Sequence, residues 1–305
     1  AAYSFQGNAN PFVDHPEYAN MIWNPTPDTE NPTDPTGLIA SNPTDNSIDL
    51  TWNASTDNIG VIGYDVFVGG NYNATTALPL LLSFHGLSSN MEFNYNYTNF
   101  DELAERENFI VVHPNGIDNR WTLSASNNPD IDFIETLLDH LENDYKIESN
   151  RIYSTGMSNG GNFSFTLACE LSNRIAAIAS VTGLMLQVAI GDCIPTRPLA
   201  ILHIHGTEDP IANYAFVQRG LDFWIEHNTT NMNPIVSNIL DIDTQDGSKV
   251  EKYEYINGEN GLEVLHLKVI GGGHQWPGFQ GNMDINASEE VWNFVKVFDL
   301  NGKIE

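Results

Sequence analysis

The chain has 305 residues, 41% of them hydrophobic, and a formal net charge of −28. The hydrophobic fraction is sufficient for a folded core, whereas the negative charge disfavours nucleic acids and anionic membrane surfaces as partners. No apolar run approaches the length of a membrane-spanning helix, so the sequence predicts none.

The first 70 residues differ in composition from the rest of the chain. Residues 1–46 contain seven of the 15 prolines and are predicted to be an extended, linker-like segment. Within residues 47–70, the runs Ser47–Trp52 and Val61–Val68 alternate polar and apolar residues on either side of a turn-rich stretch. This pattern predicts a β-hairpin.

Residues 71–305 alternate short apolar runs with amphipathic segments. Strands are predicted at 78–86, 109–113, 152–155, 176–181, 199–205, 250–256 and 262–270. Helices are predicted at 130–143, 160–171, 216–227 and 288–300. The alternation indicates βαβ units and therefore an α/β domain with a mainly parallel, doubly wound sheet.

A serine motif lies between one of these strands and the next helix. Gly156-Met157-Ser158-Asn159-Gly160 fits the pattern G-x-S-x-G, in which a tight strand-to-helix turn lifts a nucleophilic serine above the sheet. The pattern alone is short, and an incidental serine in a glycine-rich turn would also fit it. The flanking strand and helix favour Ser158 as the nucleophile.

A serine nucleophile needs a general base and a carboxylate that orients the base. In one common arrangement these follow in the chain order serine, acid, histidine. After Ser158, the predicted strand 199–205 is followed by Glu208 and Asp209, at the sheet edge where active sites lie. The pattern leaves both carboxylates open as the acid.

The chain has nine histidines that compete for the role of base. His274 alone combines the required order with a loop of three preceding glycines, which allow the chain to bend back over the sheet edge. His203 lies inside an apolar strand and is predicted to be a core residue. His205 and His85 end strands next to glycines, so we expect them near the site.

The oxyanion of an acyl-transfer reaction needs two backbone N–H donors. One is expected at Asn159, the residue after the nucleophile, and the other in the loop after the strand 78–86. Leu87 is the first candidate in that loop, and Ser88 is an alternative.

Five segments together resemble a known family: LPLLLSFHG, RIYSTGMSNGG, ACELSNRIAAIASVTG, LHIHGTEDP and VIGGGHQWPG. From about residue 78 to 302 the chain is similar to the secreted polyhydroxybutyrate depolymerases and feruloyl esterases. The resemblance implies the α/β-hydrolase fold and a serine esterase that needs no metal or cofactor. It also implies the triad Ser158, Asp209 and His274, and so favours Asp209 over Glu208.

The resemblance suggests further roles. It implies that Cys169 and Cys193 form a disulfide, where the sequence alone also allows two buried thiols. It places Trp276 and Trp121 in the substrate cleft, where we also expect His85. An exported, extracellular bacterial protein fits these features.

The chain departs from this family at two places. Residues 115–129 are shorter than in typical relatives, and the usual N-terminal hairpin is missing before residue 78. Residues 32–70 instead resemble a truncated fibronectin type III module, which cannot close its own sandwich. We therefore predict that residues 48–68 pack onto the hydrolase sheet in place of the missing hairpin.

The sequence thus predicts a secreted serine carboxylesterase that hydrolyses short-chain or aromatic esters, such as acetyl and feruloyl esters. A polyhydroxyalkanoate depolymerase is the nearest alternative. A non-catalytic binding protein on a hydrolase scaffold is an alternative of a different class. The oligomeric state and the natural ester are not specified by the sequence.

Overall fold

A computed structural model describes most of the chain after residue 75 and two short stretches before it. It gives the backbone of 36–41 and 49–53, and it describes residues 76–124, 128–186, 190–191 and 193–304. The chain divides into two compact units, residues 1–64 and residues 65–305.

The described part of the first unit is a two-stranded antiparallel ribbon. Strand β1 (Thr36–Ser41) pairs with β2 (Asp49–Asn53), with Ile39 opposite Thr51. β2 lies in the first run of the predicted hairpin, but its partner β1 falls in the segment predicted to be linker-like. The second run, 61–68, lies outside the described residues, so the predicted hairpin and its packing on the sheet stay predictions.

The second unit is built on an eight-stranded sheet. Its strands are β3 (Leu78–Phe84), β4 (Ile110–Val112), β5 (Ile147–Met157), β6 (Ala177–Val181), β7 (Ala200–Gly206), β8 (Ile235–Asn238), β9 (Lys249–Tyr255) and β10 (Val264–Ile270). Their order is β4-β3-β5-β6-β7-β10-β9-β8. Neighbours from β4 to β10 are parallel, whereas β9 and β8 are added antiparallel at one edge.

Six α-helices flank this sheet in the described part of the chain. They are α1 (Met91–Thr98), α2 (Phe100–Glu107), α3 (Pro129–Asp144), α4 (Asn159–Glu170), α5 (Val217–His227) and α6 (Ala287–Val295). A small ribbon follows, formed by β11 (Phe298–Asp299) and β12 (Gly302–Lys303). Within the described ranges no helix is both long and apolar enough to cross a bilayer.

The sheet has an apolar layer on each face. Leu80 and Leu82 of β3 belong to the layer formed with α3, α4 and α5, whereas Leu81 belongs to the layer formed with α2 and α6. Successive side chains of a strand point to opposite faces, so a strand covered on both faces is apolar throughout. The run LPLLL in β3 therefore reflects its central place in a doubly wound sheet.

Local signals account for the helix boundaries. At the start of α3, the Asn128 side chain accepts a hydrogen bond from the Asp130 amide, and Pro129 occupies the first turn, where no intrahelical N–H bond is lost. At the start of α6, Asn286 caps the helix through the amides of Ser288 and Glu289. Each cap satisfies donors that the helix itself cannot satisfy.

The predicted strands and helices agree with the observed ones to within two residues at most boundaries, with two exceptions of five residues. Strand β5 begins at Ile147 instead of residue 152. The last helix ends at Val295 instead of extending to residue 300, because the chain turns back at Phe298 to form the β11–β12 ribbon. Gly302, which follows the turn and begins β12, has a φ of 126°, a conformation that glycine accommodates. Helices α1 and α2 and strand β8 were not predicted.

Candidate active site

The candidate residues lie in loops that follow parallel strands. Ser158 follows β5, Asp209 follows β7, His274 follows β10, and the loop of Leu87 follows β3. The carboxyl ends of parallel strands share one edge of the sheet, which is where open α/β sheets hold their ligands.

Ser158 lies in a strained turn between β5 and α4. Its φ is 55° and its ψ is −116°, although it is not a glycine. A conformation of this kind costs on the order of 1–3 kcal/mol and is typical of functional sites. The Ser158 N–H donates to the Val181 carbonyl oxygen at 2.9 Å, which anchors the turn on the neighbouring strand.

The glycines of the motif are required by close packing. A Cβ on Gly160 would lie 2.2 Å from the Phe84 carbonyl oxygen, and one on Gly156 would lie 2.6 Å from the same oxygen. Both distances are far inside van der Waals contact. The motif therefore allows α4 to begin directly against the end of β3, which brings the loop of β3 beside the serine.

Asp209 is a buried carboxylate with four hydrogen-bonding contacts. Its Oδ1 accepts from the amides of Ile211 and Ala212, both at 2.8 Å. Its Oδ2 lies 2.7 Å from His274 Nδ1 and 3.3 Å from His205 Nε2. Burial alone would raise the pKa of Asp209, but hydrogen bonds from the two histidines and two amides hold that pKa well below its usual range.

His274 is oriented for general-base chemistry. Because the ionised Asp209 can only accept, His274 Nδ1 donates the proton and Nε2 keeps a free lone pair. Among the described residues no hydrogen bond joins Ser158 Oγ to His274. Catalytic hydrogen bonds are often long before substrate binds and tighten in the Michaelis complex, so this separation is compatible with proton transfer.

Two backbone amides near Ser158 are free to bind an anion. Gly86 packs against the serine, since a Cβ there would lie 3.7 Å from Ser158 Cβ. Ser88 donates its N–H to the Asn119 carbonyl oxygen at 2.8 Å, which disfavours it as an oxyanion donor. Over the described ranges, no acceptor is found for the amides of Leu87 and Asn159, so these two remain the predicted pair.

The structure buries Trp121 and Trp276, the two tryptophans that the resemblance places in the cleft. Trp121 is only 2% exposed, stacks on Phe163 and donates its indole N–H to the His85 carbonyl oxygen at 3.0 Å. Trp276 is 3% exposed and donates to Ser288 Oγ at 3.1 Å. Both rings therefore pack in the hydrophobic core, and their role in substrate contact stays a prediction.

His85 is likewise a structural residue. It is completely buried, its Nδ1 lies 2.8 Å from the Gly86 carbonyl oxygen, and its Nε2 accepts from the Gly116 amide at 3.0 Å. Burial lowers its pKa despite the hydrogen bond to Gly86, which keeps the ring neutral. His85 therefore ties the loop of Leu87 to the loop after β4 and does not offer a ligand contact.

Several site contacts were not anticipated from the sequence. The Asn159 side chain holds the Trp121 backbone through two hydrogen bonds, of 2.7 and 3.1 Å. His205 reaches Asp209, and His203 lies opposite His266 in the register of β7 and β10. The spacing of His203 and His205, two apart in a strand, indicated a shared face, but their partner on β10 required the strand order.

The two cysteines form a disulfide, as the resemblance implied. Cys169 near the end of α4 and Cys193 in the connection between β6 and β7 have Cα atoms 5.0 Å apart. Among the described residues, no group of three or more His, Cys, Asp or Glu side chains is arranged to hold a metal ion.

Comparisons with known proteins place the chain among esterases. Residues 125–239 match a family model described as phospholipase/carboxylesterase. The chain is 27% identical over 243 residues to a bifunctional acetylxylan esterase/xylanase, XynS20E, from Neocallimastix patriciarum, and 26% identical over 249 residues to feruloyl esterase D from Neurospora crassa. These matches cover 79% and 77% of this chain, and 34% and 82% of the two relatives.

A solved structure is similar in fold. The acetyl xylan esterase from Aspergillus awamori superposes with a TM-score of 0.56 at 14% sequence identity, covering 75% of this chain and 92% of that one. At this identity the likeness concerns the fold alone. The solved structure shows the α/β-hydrolase fold. The family match and the sequence relatives support a carboxylic ester hydrolase that is similar to the feruloyl and acetylxylan esterases.

Proposed function

We propose that the protein is an exported serine esterase that cleaves acetyl and feruloyl esters through an acyl-enzyme on Ser158. The observation that carries the proposal is the 2.7 Å hydrogen bond between Asp209 and His274, at the same sheet edge as the strained turn of Ser158. This combination supplies a nucleophile, a base and an orienting carboxylate.

The reaction follows from the proton positions. His274 Nε2 removes the proton from Ser158 Oγ, and Oγ attacks the ester carbonyl carbon to form a tetrahedral intermediate. The protonated His274 then gives its proton to the leaving alcohol, which leaves the acyl group on Ser158. Water, deprotonated by His274, attacks the acyl-enzyme. The second tetrahedral intermediate collapses, the bond to Ser158 Oγ breaks, His274 returns the proton to Oγ, and the carboxylic acid is released.

The buried Asp209 stabilises the charged imidazole that forms at each step. Its carboxylate is kept ionised by four donors, so it can offset the positive charge without taking a proton. The amides of Leu87 and Asn159 would stabilise the oxyanion, at about 3–4 kcal/mol for each donor.

The substrate class is supported by the relatives and by the disulfide. The two relatives are named as acetylxylan and feruloyl esterases, and these esters are the first candidates for this chain. A disulfide forms and persists in oxidising compartments, which supports export from the cell.

A polyester substrate is a second candidate. Exposed apolar side chains occur on three loops that also carry site residues: Leu87, Ile211 and Phe279 are 63%, 72% and 56% exposed. Exposed large apolar groups beside a catalytic centre are typical of sites that bind apolar ligands. They would suit an aromatic acyl group and also the surface of a polyhydroxyalkanoate.

The test is a substrate panel with Ser158→Ala and a matched Ser237→Ala control on the exposed strand β8. We expect the parent and the control to hydrolyse p-nitrophenyl acetate, methyl ferulate and acetylated xylan, and Ser158→Ala to lose about 10⁴-fold or more in kcat. Faster release of acid from polyhydroxybutyrate than from the other esters would favour the polyester candidate. Near-normal turnover by Ser158→Ala would contradict the serine mechanism.

A further inference from the structure

Three buried imidazoles form a line behind the candidate acid. His203 and His205 are two residues apart on β7, and His266 lies opposite His203 on β10. All three side chains are at most 3% exposed. The proposed reaction assigns no proton transfer to these three rings, yet one end of the line touches Asp209 and the other end touches Tyr214.

The contacts run without a gap from the tyrosine to the carboxylate. Tyr214 Oη lies 2.9 Å from His266 Nε2, and His266 Nδ1 lies 3.3 Å from His203 Nδ1. His203 Nε2 lies 3.4 Å from His205 Nδ1. His205 Nε2 lies 3.3 Å from Asp209 Oδ2, the same oxygen that contacts His274.

Neighbouring carbonyl groups fix which nitrogen of each ring carries the proton. His205 Nε2 lies 2.7 Å from the Ala212 carbonyl oxygen, and His203 Nε2 lies 2.8 Å from that of Gly183. His266 Nδ1 lies 3.1 Å from the carbonyl oxygen of His203. A carbonyl oxygen only accepts, so each of these three nitrogens must donate.

With these tautomers every shared hydrogen bond points the same way. Tyr214 donates to His266, His266 to His203, His203 to His205, and His205 to Asp209, with each imidazole N–H shared between a carbonyl oxygen and the next acceptor. The second nitrogen of each ring faces a donor and must therefore be unprotonated. Hence all three rings are neutral.

The surroundings favour the neutral rings. Burial lowers the pKa of His266 to about 3 and holds the pKa of His203 well below its usual range, with the neighbouring histidines adding to the effect. The titratable groups that face these rings are Asp209, Tyr214, Tyr253 and Lys268.

We propose that His205 is a positioning residue for Asp209, and that His203, His266 and Tyr214 hold His205 in the tautomer that donates to the carboxylate. The proposal rests on the proposed roles of Asp209 and His274. A neutral donor fixes the plane of the carboxylate without adding a positive charge that would oppose protonation of His274. The three histidines and Tyr214 thus orient the Asp209 carboxylate, and its negative charge still stabilises protonated His274.

The kinetic test replaces the donor. His205→Phe removes the hydrogen bond to Asp209 and should lower kcat by about 10- to 100-fold with KM nearly unchanged, because base orientation acts on the chemical step. His205→Gln, whose amide can donate from a similar position, should recover most of the loss. An unchanged kcat in a folded His205→Phe would overturn the proposal.

The pH profile separates positioning from general damage. A carboxylate that loses a neutral donor holds protonated His274 more strongly, so the acid limb of kcat/KM should move to higher pH in His205→Phe. Tyr214→Phe should move it slightly in the same direction. The matched control Tyr253→Phe, which loses a hydroxyl bonded to Glu251 and Lys268 and to none of the three imidazoles, should not. If the acid limb of the kcat/KM profile does not move in His205→Phe, then His205 has a merely structural role.

A second measurement on the unmutated protein avoids folding failures and does not depend on activity. In ¹⁵N-histidine NMR spectra at pH 7, we expect His205 and His203 to carry the proton on Nε2 and His266 on Nδ1, with all three rings neutral. If any of the three rings has the opposite tautomer or is doubly protonated, the proposed direction of the hydrogen bonds from Tyr214 to Asp209 is wrong. Failure of the proposed function would appear instead as hydrolysis that survives Ser158→Ala, with these spectra unaffected.

Discussion

Acidification should destabilise the folded protein through its buried neutral histidines. A histidine in the unfolded chain has a pKa near 6.5, whereas burial lowers the pKa of folded His266 to about 3 and that of His203 well below 6.5. Between these values the unfolded state binds more protons than the folded state. Stability therefore falls as the pH decreases below about 6.5 and continues to fall until the folded rings protonate.

The magnitude follows from the two pKa values. For one histidine with a folded pKa of about 3, lowering the pH from 8 to 5 removes about 2 kcal/mol from the free energy of unfolding. The pKa of buried His203 is also lowered, so His203 adds to this loss in the same direction. The lowered pKa of buried His85 adds in the same direction. The free energy of unfolding of a native protein is only about 5–15 kcal/mol, so a loss of this size is large.

Urea unfolding at pH 8, 6.5 and 5 measures this loss directly. His266→Gln removes one of the two groups and should reduce the decrease between pH 8 and pH 5 by about 2 kcal/mol, whatever its effect on stability at pH 8. His140→Gln, on the exposed face of α3, is the matched control and should follow the parent. Stability that does not change between pH 8 and pH 5, or an equal decrease in His266→Gln, would refute neutral burial of these rings.

Two further predictions concern packing and covalent structure. Gly160→Ala places a Cβ 2.2 Å from a carbonyl oxygen of β3 and should lower the unfolding free energy by about 3 kcal/mol or more in thermal melting, whereas Gly86→Ala, whose nearest contact would be 3.6 Å, should fold normally. Equal melting of the two variants would contradict the packing argument. Replacing Cys169 and Cys193 together by alanine removes a cross-link between residues separated by 24 positions. This should lower the free energy of unfolding, measured by urea unfolding, by about 3.5 kcal/mol. No loss in that variant would mean that the disulfide does not constrain the unfolded chain.

The sequence could predict the central part of the fold because both layers of the domain impose strong patterns. Strands covered on two faces are apolar throughout, as in β3, and α3 buries one face at regular helical spacing. Helix α1 was missed because its buried positions include the polar Asn94 and Thr98, which interrupt that spacing. Strand β8 was missed because all four of its residues are exposed, which leaves no alternation to detect.

In the candidate site, too, the sequence indicates some residues, whereas other contacts are visible only in the structure. Chain order and glycine spacing single out Ser158 and His274 as the predicted nucleophile and base, because the turn and the loop place strict demands on the backbone. The resemblance places the two tryptophans in the cleft, whereas the structure buries them. The sequence could not predict this burial, because no local pattern distinguishes a tryptophan in the core from one that lines a cleft. The contact of His205 with Asp209 depends on the loop after β7, which no local pattern describes.

The most direct test of the account is active-site labelling of the purified chain with a fluorophosphonate probe, followed by peptide mass spectrometry. We predict one adduct per chain, on Ser158, that forms at the rate at which ester hydrolysis is lost and is absent from Ser158→Ala. Loss of hydrolysis with the adduct on another residue, or hydrolysis that persists after Ser158 is fully labelled, would contradict the serine mechanism.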